Sequence, residues 1–543
     1  MVLGLRRSWS YLGIGITAVL LLPLLALLLQ ASQSDEAVFA HLLATVLPTY
    51  IINTLVVILG VSIGSLMLAV PAAWLVARCQ FPLAKYFQWA LLLPLAMPGY
   101  IVAYVYTDLL DYAGPVQRNL RLFFGWSSPQ DYDFPAIRSL GGAIIVLSLV
   151  LFPYVYLLAR TAFMEQSSNL QHASKVMGCG PWGSFFRLSL PMARPALAVG
   201  LSLIAMETAA DFATMSYFAV PTLTTAVYDT WLGYGSLTAA AKLSVFILLI
   251  IFVLVGSERF ARRRQKLYQK QSQLENADKY LLKGVKAFMA CGYCLGLLTT
   301  AFLVPFFILC SYAFARFDSS FSHEFFQYSG NSLLVASLVS LVCIILAMVL
   351  LFLRRVSPRP MDSWLAPLAT TGYALPGTVL AIGVLVPLTM LDFAINDVYQ
   401  WLGEKGPGLV LTGSLVALVF AFCIRFLAIS IGSIEASYKR LSPSLDMACL
   451  TMGRTPLQML TKVHLPLLYK GIFTGALLVF IESMKELPAT LLLRPIGFEN
   501  LASHVFQLVS DERLEQGALA AITIVLVGLI PLIYLNFFLE DAK

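Results

Sequence analysis

Runs of about 20 apolar residues, long enough to cross a bilayer as α-helix, recur along the whole chain. They centre near residues 20, 63, 98, 151, 205 and 247, and again near 300, 341, 377, 421, 480 and 528. Inside a membrane, backbone polar groups must be satisfied within each segment, so lipid-exposed irregular chain is not viable. The pattern predicts an all-α polytopic membrane protein with about twelve transmembrane helices. Composition agrees, with 59% hydrophobic and only 12% charged residues, the latter about half the share of a soluble domain. The run from about Tyr11 to Ala31 follows Arg6-Arg7. It is longer than the apolar core of a signal peptide and more spans follow it, so it reads as the first helix.

Charge sets the orientation. With the N-terminus inside, Arg78, Lys85, Lys175, Arg187, Arg262–Arg264, Arg354, Arg355, Lys439, Arg440, Arg454 and Lys462 fall in cytoplasmic segments. Asp131, Asp133, Asp392, Asp397, Asp511 and Glu515 fall outside. Basic residues collect on the cytoplasmic side of membrane proteins, so both termini are expected in the cytoplasm. The longest polar stretch, 258–283, reads as a solvated basic linker. It divides a first half, 1–257 (helices one to six, polar loop 164–192), from a second, 284–543 (helices seven to twelve, polar loop 434–467). The net charge of +7 has no soluble domain to carry it, which argues against a nucleic-acid partner.

The two halves repeat one another. Ala173, Gly178, Pro181, Leu190 and Pro191 recur as Ala448, Gly453, Pro456, Leu465 and Pro466, each 275 residues on (453 − 178 = 275). Gly200 meets Gly475, Glu207 meets Glu482, and Asp211 meets Glu486 at the same offset. Upstream the offset is 278: Asn53-Thr54 matches Asn331-Ser332, and Pro98-Gly99 matches Pro376-Gly377. Six helices per half is an even number, so the halves enter the membrane alike and are expected to be related by a pseudo-two-fold axis along its normal. In each polar loop a short helix is expected to end at a glycine, which tolerates the left-handed cap. Pro181 or Pro456 then starts a second helix, which Pro191 or Pro466 is expected to close. Two such knobs suit a partner with two equivalent grooves.

These loops resemble the Glu-Ala-Ala-x3-Gly-x9-Ile-x-Leu-Pro signature of membrane subunits of binding-protein-dependent ABC importers. Here it reads His172-Ala173-Ser174…Gly178…Leu188-Ser189-Leu190-Pro191 and Met447-Ala448-Cys449…Gly453…Val463-His464-Leu465-Pro466. Both copies lack the leading Glu. The stretches Met206–Ser236 and Met484–Pro495 narrow the resemblance to fused, two-half permeases for ferric iron(III). The resemblance implies the type I importer permease fold, with loops 164–192 and 434–467 as coupling helices on two copies of a cytoplasmic ABC ATPase. It also implies a periplasmic iron-binding protein that delivers the solute, and residence in a bacterial inner membrane. Related permeases carry thiamine, aminoethylphosphonate, polyamine or oxyanion. An ion-gradient-driven secondary transporter would share the helix count but has no reason to keep paired coupling loops.

No catalytic constellation accompanies these features. The chain has no GxxxxGK[ST] loop, so ATP and Mg belong to the partner and this chain is expected to hold no cofactor. Its five histidines are scattered, and Cys291-x-x-Cys294 lies inside an apolar run, so no permanent metal site is expected. Glu207 lies about 22 Å above the start of its helix at 1.5 Å per residue. Asp211, four residues on, would share its face, and Glu482 and Glu486 repeat the pair. Intramembrane carboxylates are costly and usually face an aqueous path, and ferric iron prefers oxygen ligands. These four are the candidate translocation pathway, set against the reading that Lys485 makes part of the set a structural ion pair. Pro98-Gly99 and Pro376-Gly377 are expected to bend helices three and nine, as kinks or gates.

Overall fold

The computed structural model describes residues 2–34, 36–166, 174, 176–178, 180–263, 279–356 and 362–541. The principal helices are α1 (Val2–Ala31), α2 (Leu47–Arg78), α3 (Gly99–Leu110), α4 (Leu140–Met164), α5 (Leu190–Ala210) and α6 (Leu237–Arg263). The later ones are α7 (Val285–Leu298, continued through a π-turn to Ala315), α8 (His323–Val356), α9 (Gly377–Trp401), α10 (Leu415–Tyr438), α11 (Leu465–Lys485) and α12 (Leu514–Asp541). Among the described residues ten helices are long and apolar enough to cross a membrane. A pair bent by 91°, Ala84–Ala96 and Gly99–Phe124, makes an eleventh if counted as one span. Helix α12 occupies the place of the last expected run.

The helices gather into two compact units that cut across the sequence halves. One comprises Met1–Leu42, Ala226–Val245 and Phe321–Gln507; the other comprises Leu43–Thr225, Phe246–Ser320 and Leu508–Lys543. The linker at 258–283 therefore separates the repeats but not the units. Residues 264–278 of the linker lie outside the described residues; beyond them Tyr280-Leu281 pairs in parallel with Cys79-Gln80.

Small residues bring helices together, as expected where lipid supplies no hydrophobic drive between them. In the unit holding α2, α4 and α5, a Cβ on Gly64 would stand 2.3 Å from Ser148 Oγ, and one on Gly200 would stand 3.0 Å from Val155 Cα. In the other unit Gly475 repeats the second contact against Ser430 Cα of α10 at 3.4 Å. Ser430 lies 275 residues after Val155, so the matched glycines make matched helix contacts. There α1 packs on α9, where a Cβ on Gly383 would meet Pro23 O at 2.7 Å.

Candidate functional site

The second polar loop shows why its glycine is needed. Helix Pro443–Thr451 ends with Met452 N donating to Ala448 O (3.0 Å) and Arg454 N to Cys449 O (3.1 Å), around Gly453 at φ 72°. This closes the helix with a left-handed residue. Nothing lies within 4 Å of where its Cβ would be, so conformation selects glycine there, not space. Thr455 then caps the next helix with Gln458 in a reciprocal capping box, and Pro456 opens it. In the first loop Gly178 has φ 76° and Pro181 opens helix Pro181–Ser184. Ala173 and most of the short helix expected over 169–177 lie outside the described residues. Ahead of each glycine stands an outward methionine, Met177 (81% exposed) and Met452 (76% exposed), again 275 apart.

Pro191 and Pro466 do not close the second helix of each loop. The chain runs helically from Phe185 to Ala210, and from Pro456 to Lys485. A π-turn precedes each proline, Phe185–Ser189 and Leu460–His464. Within these, Leu190 N bonds Phe185 O and Leu465 N bonds Leu460 O. A proline inside a regular helix lacks a donor and clashes with the preceding turn; the wider turn makes room, so the helix continues into the membrane span.

The Pro-Gly pairs are true breaks. Pro98 (φ −58°, ψ 140°) and Pro376 (φ −56°, ψ 146°) are extended, each between a short 3-10 turn and a helix that starts on the glycine. A second break faces each of them. Helix α5 ends at Ala210 and α11 at Lys485, and the next residues, Asp211 (φ −72°, ψ 112°) and Glu486 (φ −70°, ψ 117°), are extended. The expectation that each acid continues the helical face of Glu207 or Glu482 is therefore overturned. Asp211 and Glu486 instead cap the short helices that follow. Asp211 Oδ1 accepts Thr214 N at 2.8 Å, and Glu486 Oε1 accepts Ala489 N at 3.3 Å. Their carboxylates lie against the glycines: a Cβ on Gly99 would be 3.5 Å from Asp211 Oδ2, and one on Gly377 2.4 Å from Glu486 Oε1.

The matched Asn-Thr and Asn-Ser pairs pin the chain beyond this break. Asn53 Nδ2 donates to Pro221 O (3.0 Å) and Asn331 Nδ2 to Glu499 O (2.7 Å). Leu223 N donates to Thr54 Oγ1 (3.0 Å) and Leu501 N to Ser332 Oγ (2.8 Å). The motif was visible in the sequence; its function as a staple was not.

The acids differ between halves. Glu486 pairs with Arg425 at 3.2 Å, with side chains 6% and 13% exposed. Glu482 pairs with Lys485 at 2.9 Å, as the structural reading of that spacing expects. Asp211 takes the Thr214 hydroxyl at 3.0 Å and forms no ion pair among the described residues. Glu207 is half-buried on α5. Next to the two glutamates stand Thr208 and Ser483, both buried, whose hydroxyls find no partner among the described residues. Sequence reading passed over this pair, though the 275 offset could have raised it. No cluster of three metal-ligating His, Cys, Asp or Glu occurs among the described residues.

Two helical repeats, each with a cytoplasmic-type loop feeding through a π-turn into a broken span, define an importer permease carried on one chain. Residues 66–266 match the family described as binding-protein-dependent transport system inner membrane component, and the chain is a permease of that kind of system. It is 24% identical to the Fe(3+)-transport system permease protein FbpB 2 of Haemophilus influenzae over 531 residues, 95% of each chain. It is 20% identical to the ferric transport system permease protein FbpB of Actinobacillus pleuropneumoniae over 77% of this chain and 61% of that one. The molybdenum transport system permease protein ModB of Escherichia coli is 29% identical over 35% of this chain but 82% of its own, a relative the size of one repeat.

Proposed function

We propose that the chain forms the pore through which iron(III) passes from a periplasmic binding protein to the cytoplasm. The similarity to ferric permeases along nearly the whole chain supports the substrate. One observation carries the mechanism: the outward Met-Gly tip, the left-handed glycine and the π-turn occur twice, in register. Each tip is read as a coupling knob on one of two copies of a cytoplasmic ABC ATPase, which uses ATP and Mg while this chain binds no cofactor. Both termini then lie in the cytoplasm, in the inner membrane. Because the helix passes through the π-turn without a stop, a push on the knob moves α5 or α11 directly. The double breaks at Gly99/Asp211 and Gly377/Glu486 are where such a push can change the pore. Glu207, Asp211, Glu482 and Glu486 line that path.

A second reading has its own support. Arg425 and Lys485 place cations beside both second-half carboxylates, which suits an anionic solute or a negatively charged ferric chelate. The deciding experiment reconstitutes the chain with its ATPase and binding protein in proteoliposomes. Uptake of ferric citrate, molybdate and sulfate is then compared with ATP inside. ATP-dependent iron uptake is expected, lost in Gly178→Val/Gly453→Val while ATP hydrolysis continues. Oxyanion uptake without iron uptake would refute the substrate; normal transport in the double variant would refute the knobs.

A further inference from the structure

The second knob is tied to the membrane helices by a clamp that the first knob does not share. Asp446, on the first helix of the loop, accepts Arg355 Nε at 2.6 Å through one oxygen and meets His464 Nε2 at 2.9 Å through the other. Arg355, at the end of α8, also donates Nη2 to Leu441 O (3.0 Å) and Nη1 to Tyr438 O (3.4 Å). His464 belongs to the π-turn, is 1% exposed, and places Nδ1 3.2 Å from Tyr438 Oη. One carboxylate thus fastens three elements: the knob, the π-turn and α8. An Arg fork on a carboxylate is strong and directional.

In the first half, Ser189 stands where His464 does (464 − 189 = 275) and Gln171 where Asp446 does. Ser189 offers only its carbonyl, to Gln166 Nε2 at 2.9 Å, and Arg78 Nη2 donates to Gln166 O at 2.8 Å. The printed ties there end on neutral groups.

Helix α8 gives the clamp its reach. It runs 34 residues without a proline, whereas its counterpart α2 contains Pro71. Near one end Asn331 and Ser332 staple residues 499 and 501, the chain just beyond the break at Glu486. At the other end Arg355 holds the knob. The two grips are 24 residues apart (355 − 331), about 36 Å along a straight helix.

We propose that α8 is a rigid rod between the second knob and the second helix break, and that Asp446 is the positioning residue fastening the knob to it. The proposal rests on the reading that loop 434–467 docks on the ATPase. Movement of the knob drags Arg355 and hence α8, and the staple at Asn331–Ser332 pulls on 499–501. The signature's own position, Met447, is exposed and faces away from this clamp. Asp446 therefore does an internal task.

The test uses the reconstituted complex with Asp446→Asn. ATPase co-purification and basal hydrolysis should persist. Solute moved per ATP should fall about fivefold or more. The nucleotide-dependent change in amide hydrogen exchange at 499–503, comparing vanadate-trapped and free states, should vanish while that at 443–451 remains. Asp446→Glu should restore all three readouts. His464→Ser, which installs the first-half residue, should lower the ratio in the same direction and serves if Asp446→Asn fails to assemble. A transport-to-hydrolysis ratio within about twofold of wild type, or a surviving exchange change at 499–503, overturns the proposal. So does failure of both variants to assemble, which would make the clamp a folding element. If the wild-type ATPase does not associate with the chain at all, the docking reading fails instead.

Discussion

Replacing Gly377 by alanine tests how tightly the two breaks of the second half fit. The new methyl carbon would lie 2.4 Å from Glu486 Oε1, 2.9 Å from Arg425 Nη1 and 3.0 Å from Ala489 N. Non-bonded heavy atoms rest at about 3.5 Å or more, so the carboxylate must withdraw by roughly 1 Å. The amide of Ala489 is backbone and yields little, and Arg425 is pressed from the same side. The 3.2 Å Arg425–Glu486 contact then opens to about 4 Å, beyond hydrogen-bond range. Both charges are nearly buried, and separating such a pair costs about 3–5 kcal/mol. Some attraction survives at the longer distance, so the expected loss is about 3 kcal/mol, near a hundredfold in the folded-to-unfolded ratio. Gly99→Ala is the internal control. Its nearest neighbours, Thr214 Oγ1 at 3.0 Å and Leu147 Cδ2 at 3.2 Å, are ends of rotatable side chains, and the cost should be about 1 kcal/mol. Unfolding of both purified variants in nanodiscs, followed by intrinsic fluorescence against temperature and denaturant, gives the comparison. Adding Glu486→Ala and Arg425→Met to Gly377→Ala should recover most of the loss. A Gly377→Ala protein as stable as Gly99→Ala would refute the reasoning.

Two further outcomes follow from the same contacts. Asn53→Ala and Asn331→Ala each remove a staple and should cost about 1–2 kcal/mol apiece, with faster amide exchange at 221–223 and 499–501 respectively and no effect in the other half. In the outer loop, the backbone amides of Ser128 and Ser127 hold the Asp131 carboxyl below its ordinary value of 3.8. A depressed folded value means the cap is intact above the ordinary carboxylate range and is lost as pH falls through the folded value. Amide shifts of Ser127 and Ser128 should stay constant from pH 7 to about pH 5 and move only in stronger acid; movement near neutrality would contradict the contact.

The repeat was legible because it is written as residue identities at fixed offsets, and the structure returns them as shared geometry. Gly178 and Gly453 share one left-handed conformation, and Asn53 and Asn331 share one staple. The breaks after Ala210 and Lys485 were harder to read. No glycine or proline stands at either, and the short-range sign is only an acid three residues ahead of the amide it caps. Pro191 and Pro466 misled for the opposite reason. Proline reads as a stop, and the π-turn that accommodates it leaves no mark on hydrophobic periodicity. Lys485 was suggestive at three residues from Glu482. Arg425 is 61 residues from Glu486, and only the fold brings them together. Nor does any residue in an apolar run declare which bundle it will join.

That last point bears on how the protein is made. Helix α1 belongs to the unit built mainly from Phe321–Gln507, so its packing partners on α9 are synthesised some 280 residues or more after Leu42. At about 5–20 residues per second, α1 waits in the bilayer for roughly 15–60 s before its site on α9 exists. During that interval Gly13, Gly15 and the apolar face around them are open to other helices. A chain cut at the linker would not yield two self-sufficient bundles. Each fragment would lack helices that only the other can supply, and co-expressed fragments should assemble where either alone is degraded.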